Sequence, residues 1–137
     1  MGLDARQARR ITIHCPIASQ TFAALAAGDL AAIERDPCAA EILALIRSDN
    51  PLGDFGVYRG VFEVALGLEG FKATEDARPA LGRAGADMLS PTAIITTYVA
   101  SDAAADEVDA MIAALARAHP WEVPVIELSD VLLARKA

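Results

Sequence analysis

Among its 137 residues the chain has two cysteines, Cys15 and Cys38, two histidines, His14 and His119, and one tryptophan, Trp121. Two cysteines are too few for a disulfide-scaffolded secreted domain, and they are not in the C-x-x-C spacing of zinc or redox sites, so a cytoplasmic setting is expected. Aromatics make up 5% of the residues while alanine is about a fifth of the chain, so helices are expected to pack through small side chains. Basic residues are also outnumbered, 12 Lys and Arg against 19 Asp and Glu, for a net charge of −7. That balance excludes sequence-independent binding to phosphate backbones or anionic membranes. The alanine-rich run from Phe22 to Ala32 is broken by Gly28-Asp29 and falls short of the about 20 apolar residues needed to cross a bilayer. Arg6, Arg9 and Arg10 lead into Ile11-Thr12-Ile13 rather than into an apolar export signal.

What is present is 54% hydrophobic and 23% charged, enough for a buried core within a single domain spanning residues 1–137. Ile11 to Cys15 alternates as a strand, with Ile11, Ile13 and Cys15 on one face and Thr12 and His14 on the other. Ser19 is placed to cap a helix carrying Phe22, Leu25, Leu30 and Ile33 and ending near Arg35. Asp36-Pro37 starts another helix, Pro37 to Arg47, with a capping carboxylate and proline in the first turn. Asn50 to Asp54 reads as a turn. Tyr58 to Leu66 reads as extended, with a reversal expected at Gly67 and Gly70. Thr74 to Asp87, rich in charge, glycine and alanine, reads as a surface excursion.

Thr92 to Ala100 has the β-branched content of a doubly covered strand. Ser101 or Asp102 is placed to cap a helix with Val108, Met111, Ile112 and Leu115 on one stripe, stopped by His119-Pro120. Val123 to Leu128, extended by Val131 to Leu133, supplies a last strand. This order predicts an α+β, ferredoxin-like split β-α-β sandwich with helices covering one face of an antiparallel sheet. Ile94 and Ile95 point to opposite faces, so apolar surface is expected on the uncovered face, and with it a homo-oligomer joined through its sheets.

The segment His119-Pro120-Trp121-Glu122-Val123-Pro124 resembles the His-Pro-Tyr-Glu-Val-Pro stretch of the CutA divalent-cation tolerance proteins and of the YqfO-like domain inserted in NGG-interacting-factor-three-like proteins. Gly70 to Gly82 is similar in outline to the glycine- and proline-punctuated excursion of that inserted domain, and Gly53 to Tyr58 to its Gly-x-x-Gly-Asn-Tyr turn. Trp121 stands where that family has tyrosine, Val57 where it has asparagine, and the first helical region is longer. The resemblance implies a PII-like ferredoxin fold assembled as a trimer. It implies no reaction, since the metal centre of the larger proteins lies in flanking domains with their own histidine-rich motifs.

His119 and Glu122 form the sharpest pair of candidate residues. Together with His14 they could ligate a divalent metal ion, since imidazole and carboxylate suit such ions; alternatively His119 caps the end of its helix and Glu122 binds backbone. Glu122, Trp121 and Tyr58 are the candidates for holding a small ligand, with Trp121 alternatively a core or subunit anchor. Cys15 and Cys38 read as packed thiols. Asp102, Asp106, Glu107 and Asp109 open a helix and read as its solvated face. Gly67, Gly70 and Gly82 make neither a Walker loop nor a dinucleotide fingerprint. The expected function is therefore a non-enzymatic, homo-oligomeric binding or regulatory protein for a small ligand or metal ion. The alternative is a small enzyme with His119 and Glu122 as an acid/base pair at a subunit interface.

Overall fold

The structure is a computed structural model that describes residues 4–136. Four strands, β1 (Ala5–Pro16), β2 (Glu63–Lys72), β3 (Asp87–Ala100) and β4 (Ile126–Ala134), form one sheet in the order β2-β3-β1-β4. Every neighbouring pair is antiparallel. Helices α1 (Ser19–Ala26) and α2 (Pro37–Arg47), with a 3-10 helix at Leu30–Arg35 between them, connect β1 to β2, and α3 (Ala105–Ala118) connects β3 to β4. Two β-α-β halves thus interleave around the central pair β3 and β1, which is the expected ferredoxin-like arrangement.

The core follows from strand alternation. Ile11, Ile13 and Cys15 of β1 and Ala93, Ile95 and Val99 of β3 turn one face toward Ile42, Leu43 and Ile46 of α2 and Val108 and Leu115 of α3. Each fully buried Ile or Leu contributes about 1.5–3 kcal/mol relative to exposure. α2 begins as the sequence dictates, with the Asp36 carboxylate accepting from the backbone N–H groups of Cys38 and Ala39, each at 3.1 Å. The same buried carboxylate also accepts from the Ala18 N–H and the Thr21 hydroxyl, each at 2.9 Å, so it ties the starts of two helices together.

Several expectations change. β1 begins at Ala5, so Arg6, Arg9 and Arg10 are strand residues paired to β3 or β4. The first helix ends at Ala26 because Gly28 takes a left-handed φ of 97°. Neither Ser19 nor Ser101 and Asp102 caps a helix through its side chain: the cap positions are Ala18 and Ala104. β2 runs straight through Gly67 and Gly70. Gly67 serves close approach, because a Cβ there would stand 3.0 Å from Ile94 Cδ1 across the strands. The reversal comes later, as residues 73–86 cross without regular structure from β2 to β3.

The uncovered face is also different in character. Arg10, Thr12 and His14 of β1, Thr96 and Tyr98 of β3 and Glu63 and Glu69 of β2 lie in register on it, around Ile94 and Ala65. Thr12 and Thr96 share a hydroxyl hydrogen bond at 3.3 Å, and Tyr98 donates to Glu63 at 3.2 Å. This face is mostly polar rather than apolar. The exposed Val64, Leu66 and Leu68 of β2, Leu89 of β3 and Leu128 and Leu132 of β4 instead share the helix-side register, at sheet margins the helices leave open.

Candidate functional site

Where α3 ends, the chain must cross the end of the sheet to start β4, and His119 governs that crossing. His119 is 5% exposed. Nε2 lies 2.7 Å from the backbone carbonyl of His14, to which it donates, while Nδ1 accepts the Trp121 N–H at 3.1 Å. These partners fix the Nε2–H tautomer and use both ring nitrogens, leaving no lone pair for a metal ion. The turn then sets the Trp121 ring against two others, with centroids 5.1 Å from Phe71 and 5.6 Å from His119, both edge-to-face.

Glu122 does not meet His119. Its carboxylate accepts the backbone N–H of Arg78, in the middle of the crossing between β2 and β3. Residues 73–81 are thereby held over the sheet end, and a cleft of about 310 Å³ opens between them and the Trp121 turn. Phe71 and Trp121 form its aromatic wall, Pro79 and Leu81 its outer wall, and Glu122 and Glu69 its polar edge. Glu69 Oε1 is buried without a hydrogen-bond partner. Its nearest cation-forming neighbour, His14 Nδ1, stands 3.9 Å away, too far for a hydrogen bond.

The remaining candidates separate. His14 lies on the open face between two carboxylates, Glu69 toward Nδ1 and Glu127 3.3 Å from Nε2. The carboxylates sit on opposite sides of the ring and do not converge on one point, and among the described residues no group of three or more His, Cys, Asp and Glu side chains is placed to hold a metal ion. Tyr58 is 73% exposed in the 53–61 loop, which is fastened to the other end of the sheet through the Gly53 N–H to the Tyr98 carbonyl at 2.7 Å. The structure therefore brings Trp121 and Glu122 into one cleft but not Tyr58, His14 or the imidazole nitrogens of His119. Phe71 and Glu69 belong to the cleft and were hidden by the expected reversal at Gly67. Read as one strand, the alternation Ala65, Gly67, Glu69, Phe71 puts both side chains on the face that meets the Trp121 turn.

A larger groove, about 530 Å³, lies between the start of α3 and the β1–β4 pair. Its lining mixes alanine and valine with Gln7 and Asp109, and its charged Arg9 and Asp130 face one another at 3.7 Å.

The chain is thus an α+β domain of the ferredoxin-like class with a cleft at one end of its sheet. No family model matches it, and no curated protein matches it in sequence. Among solved structures it is similar to a Bacillus cereus protein related to NIF3, with a TM-score of 0.59 and 17% identity over 93% of this chain. The likeness is one of fold, and it involves 26% of that longer chain. The ferredoxin-like fold expected from the resemblance to the domain inserted in NIF3-like proteins thus agrees with this match. No helix among the described residues is long and apolar enough to cross a membrane.

Proposed function

We propose that this chain is a non-enzymatic binding domain whose cleft, between residues 73–81 and the Trp121 turn, takes a small molecule with a flat apolar body and a hydrogen-bond donor or positive charge. The observation that carries this reading is the combination of an aromatic wall, Phe71 and Trp121, with the Glu69 and Glu122 side chains on the edge of the same cleft. Aromatic walls receive flat apolar bodies, and a carboxylate edge favours a donor or a positive charge. A metal ion is less well served, because His119 already spends both nitrogens on backbone. Acid/base work by His119 and Glu122 lacks the mutual contact it needs, since the two side chains turn to different partners.

The same reading includes self-association. Support comes from the exposed leucines along the margins of β2 and β4, both edge strands, rather than from the open face. Sedimentation velocity on the wild type and on Leu68→Asp tests this: the proposal expects an oligomer weakened by the charge, and a monomer at every concentration would remove it.

Trp121 is the sole tryptophan, so its fluorescence reports on the cleft directly. Titration with phenethylamine and with phenylacetate compares one aromatic body carrying opposite charges. The expected result is a saturable change in Trp121 emission that is stronger for the amine, with the preference reduced in Glu69→Gln. Indifference of the emission to both probes would overturn the proposal.

A further inference from the structure

Cys15 is the last core-facing residue of β1, and Cys38 is the second residue of α2. They are 23 positions apart in the chain, yet their sulfurs approach to 3.0 Å. Neither contributes to the cleft. Cys15 is fully buried and Cys38 is partly buried, so Cys38 is the more accessible of the two.

The two thiols are also chemically unequal. Cys38 sits in the first turn of an 11-residue helix whose N-terminal N–H groups favour negative charge. The hydrogen bond from Cys15 holds the Cys38 thiol below its ordinary value, against burial and the nearby Asp36 and Glu41 carboxylates. The same contact, followed by burial, pushes the Cys15 thiol up. Its place in the helix start and its greater exposure make Cys38 the sulfur an oxidant meets first, with buried Cys15 as the resolving partner.

We propose that Cys15 and Cys38 form an intramolecular oxidation site, which a hydroperoxide converts into a disulfide fastening β1 to the start of α2. In the first step the Cys38 thiolate attacks the terminal peroxide oxygen. An S–O bond forms, the O–O bond breaks, and the departing oxygen takes a proton to leave as water or alcohol. Cys38 becomes a sulfenic acid, oxidised by two electrons as the peroxide is reduced by two. In the second step the Cys15 sulfur attacks the Cys38 sulfur. The S–S bond forms, the S–O bond breaks, and the hydroxyl leaves as water with the Cys15 proton. Closing from 3.0 Å to bonding distance requires the sulfurs to move together by about 1 Å, within reach of side-chain rotation. The bond would enclose α1 and the 3-10 helix in a covalent loop and limit the unfolded chain accordingly.

The test exposes the purified full chain to hydrogen peroxide and follows intact mass, thiol count and melting. The wild type is expected to lose the mass of two hydrogens as a monomer, to lose both titratable thiols, and to gain Tm on the order of 10 °C, all reversed by dithiothreitol. Cys15→Ser should trap Cys38 as a sulfenic acid, seen as a dimedone adduct, whereas Cys38→Ser should leave Cys15 unoxidised. Retention of two free thiols would overturn the proposal. So would a covalent dimer, or conversion of Cys38 to sulfinic acid while Cys15 stays reduced.

Discussion

His119 donates through Nε2 to the carbonyl oxygen of His14 at 2.7 Å, so the exit of α3 is fastened to the end of β1 by a single buried ring. The Trp121 N–H on Nδ1 passes that constraint to the turn that walls the cleft. A residue expected to ligate a metal therefore acts as the positioning residue for the turn that walls the cleft.

Removing the ring should disturb both stability and the cleft. His119→Ala leaves the His14 carbonyl and the Trp121 N–H without their partners and opens a cavity, at a cost of about 2–4 kcal/mol. Urea unfolding should show the midpoint fall, and Trp121 emission in the folded variant should shift toward that of a solvated indole. In the wild type, nitrogen-15 spectra of the imidazoles should show Nδ1 of His119 without a proton.

Asp36 is expected to be the costliest single carboxylate to lose. It is 2% exposed and accepts four hydrogen bonds, from Ala18, Thr21, Cys38 and Ala39. Asp36→Ala should destabilise by roughly 2–4 kcal/mol, through a lost cap and stranded donors. Asp36→Asn, which keeps one acceptor oxygen, should fall between the two in urea denaturation.

Gly67 and Ile94 should behave as a coupled pair. The Ile94 Cδ1 occupies the space beside the Gly67 backbone, and it is the far end of a flexible side chain. Gly67→Ala should be nearly neutral, because the isoleucine can turn aside. Gly67→Val should cost about 1–3 kcal/mol by overpacking. Most of that loss should disappear when valine is introduced on an Ile94→Ala background, so a double-mutant cycle gives an interaction term opposite in sign to the loss and similar in size.

The pair Glu34 and Arg47 sets a small acid dependence. Two guanidinium nitrogens meet the Glu34 carboxylate at 2.8 and 2.7 Å, and their hydrogen bonds hold its folded-state value below the ordinary carboxylate range. A depressed value in the fold stabilises above the unfolded group's titration, and that contribution is lost as pH falls through the folded value. Stability of Glu34→Gln measured from neutral to acid pH should therefore drop slightly less than wild type over that window. The effect is small because the pair lies at the surface.

Much of this molecule was legible in its sequence wherever local chemistry matched the global fold. Asp36-Pro37 announced α2, the alternation of Ile11, Ile13 and Cys15 announced the buried face of β1, and the stripe of Val108 and Leu115 announced α3. Gly67 misled because a glycine that makes room for Ile94 is indistinguishable, in one dimension, from a glycine that turns the chain. The same error hid Phe71 and Glu69. Trp121 and Glu122 were recognisable as candidates, but their partners, Phe71 and Arg78, are long-range. The polarity of the open face was missed for a similar reason: one isoleucine suggested an apolar surface, whereas register surrounds it with Thr12, His14, Thr96 and Glu63.

The most direct test of the binding reading is a chemical-shift map of the backbone amides and the Trp121 indole during titration with phenethylamine. The cleft predicts saturable shifts concentrated at residues 69–81 and 121–123, with the indole N–H among the largest. Shifts gathered instead around Arg9, Asp109 and Leu132, or scattered over the surface without saturation, would contradict it.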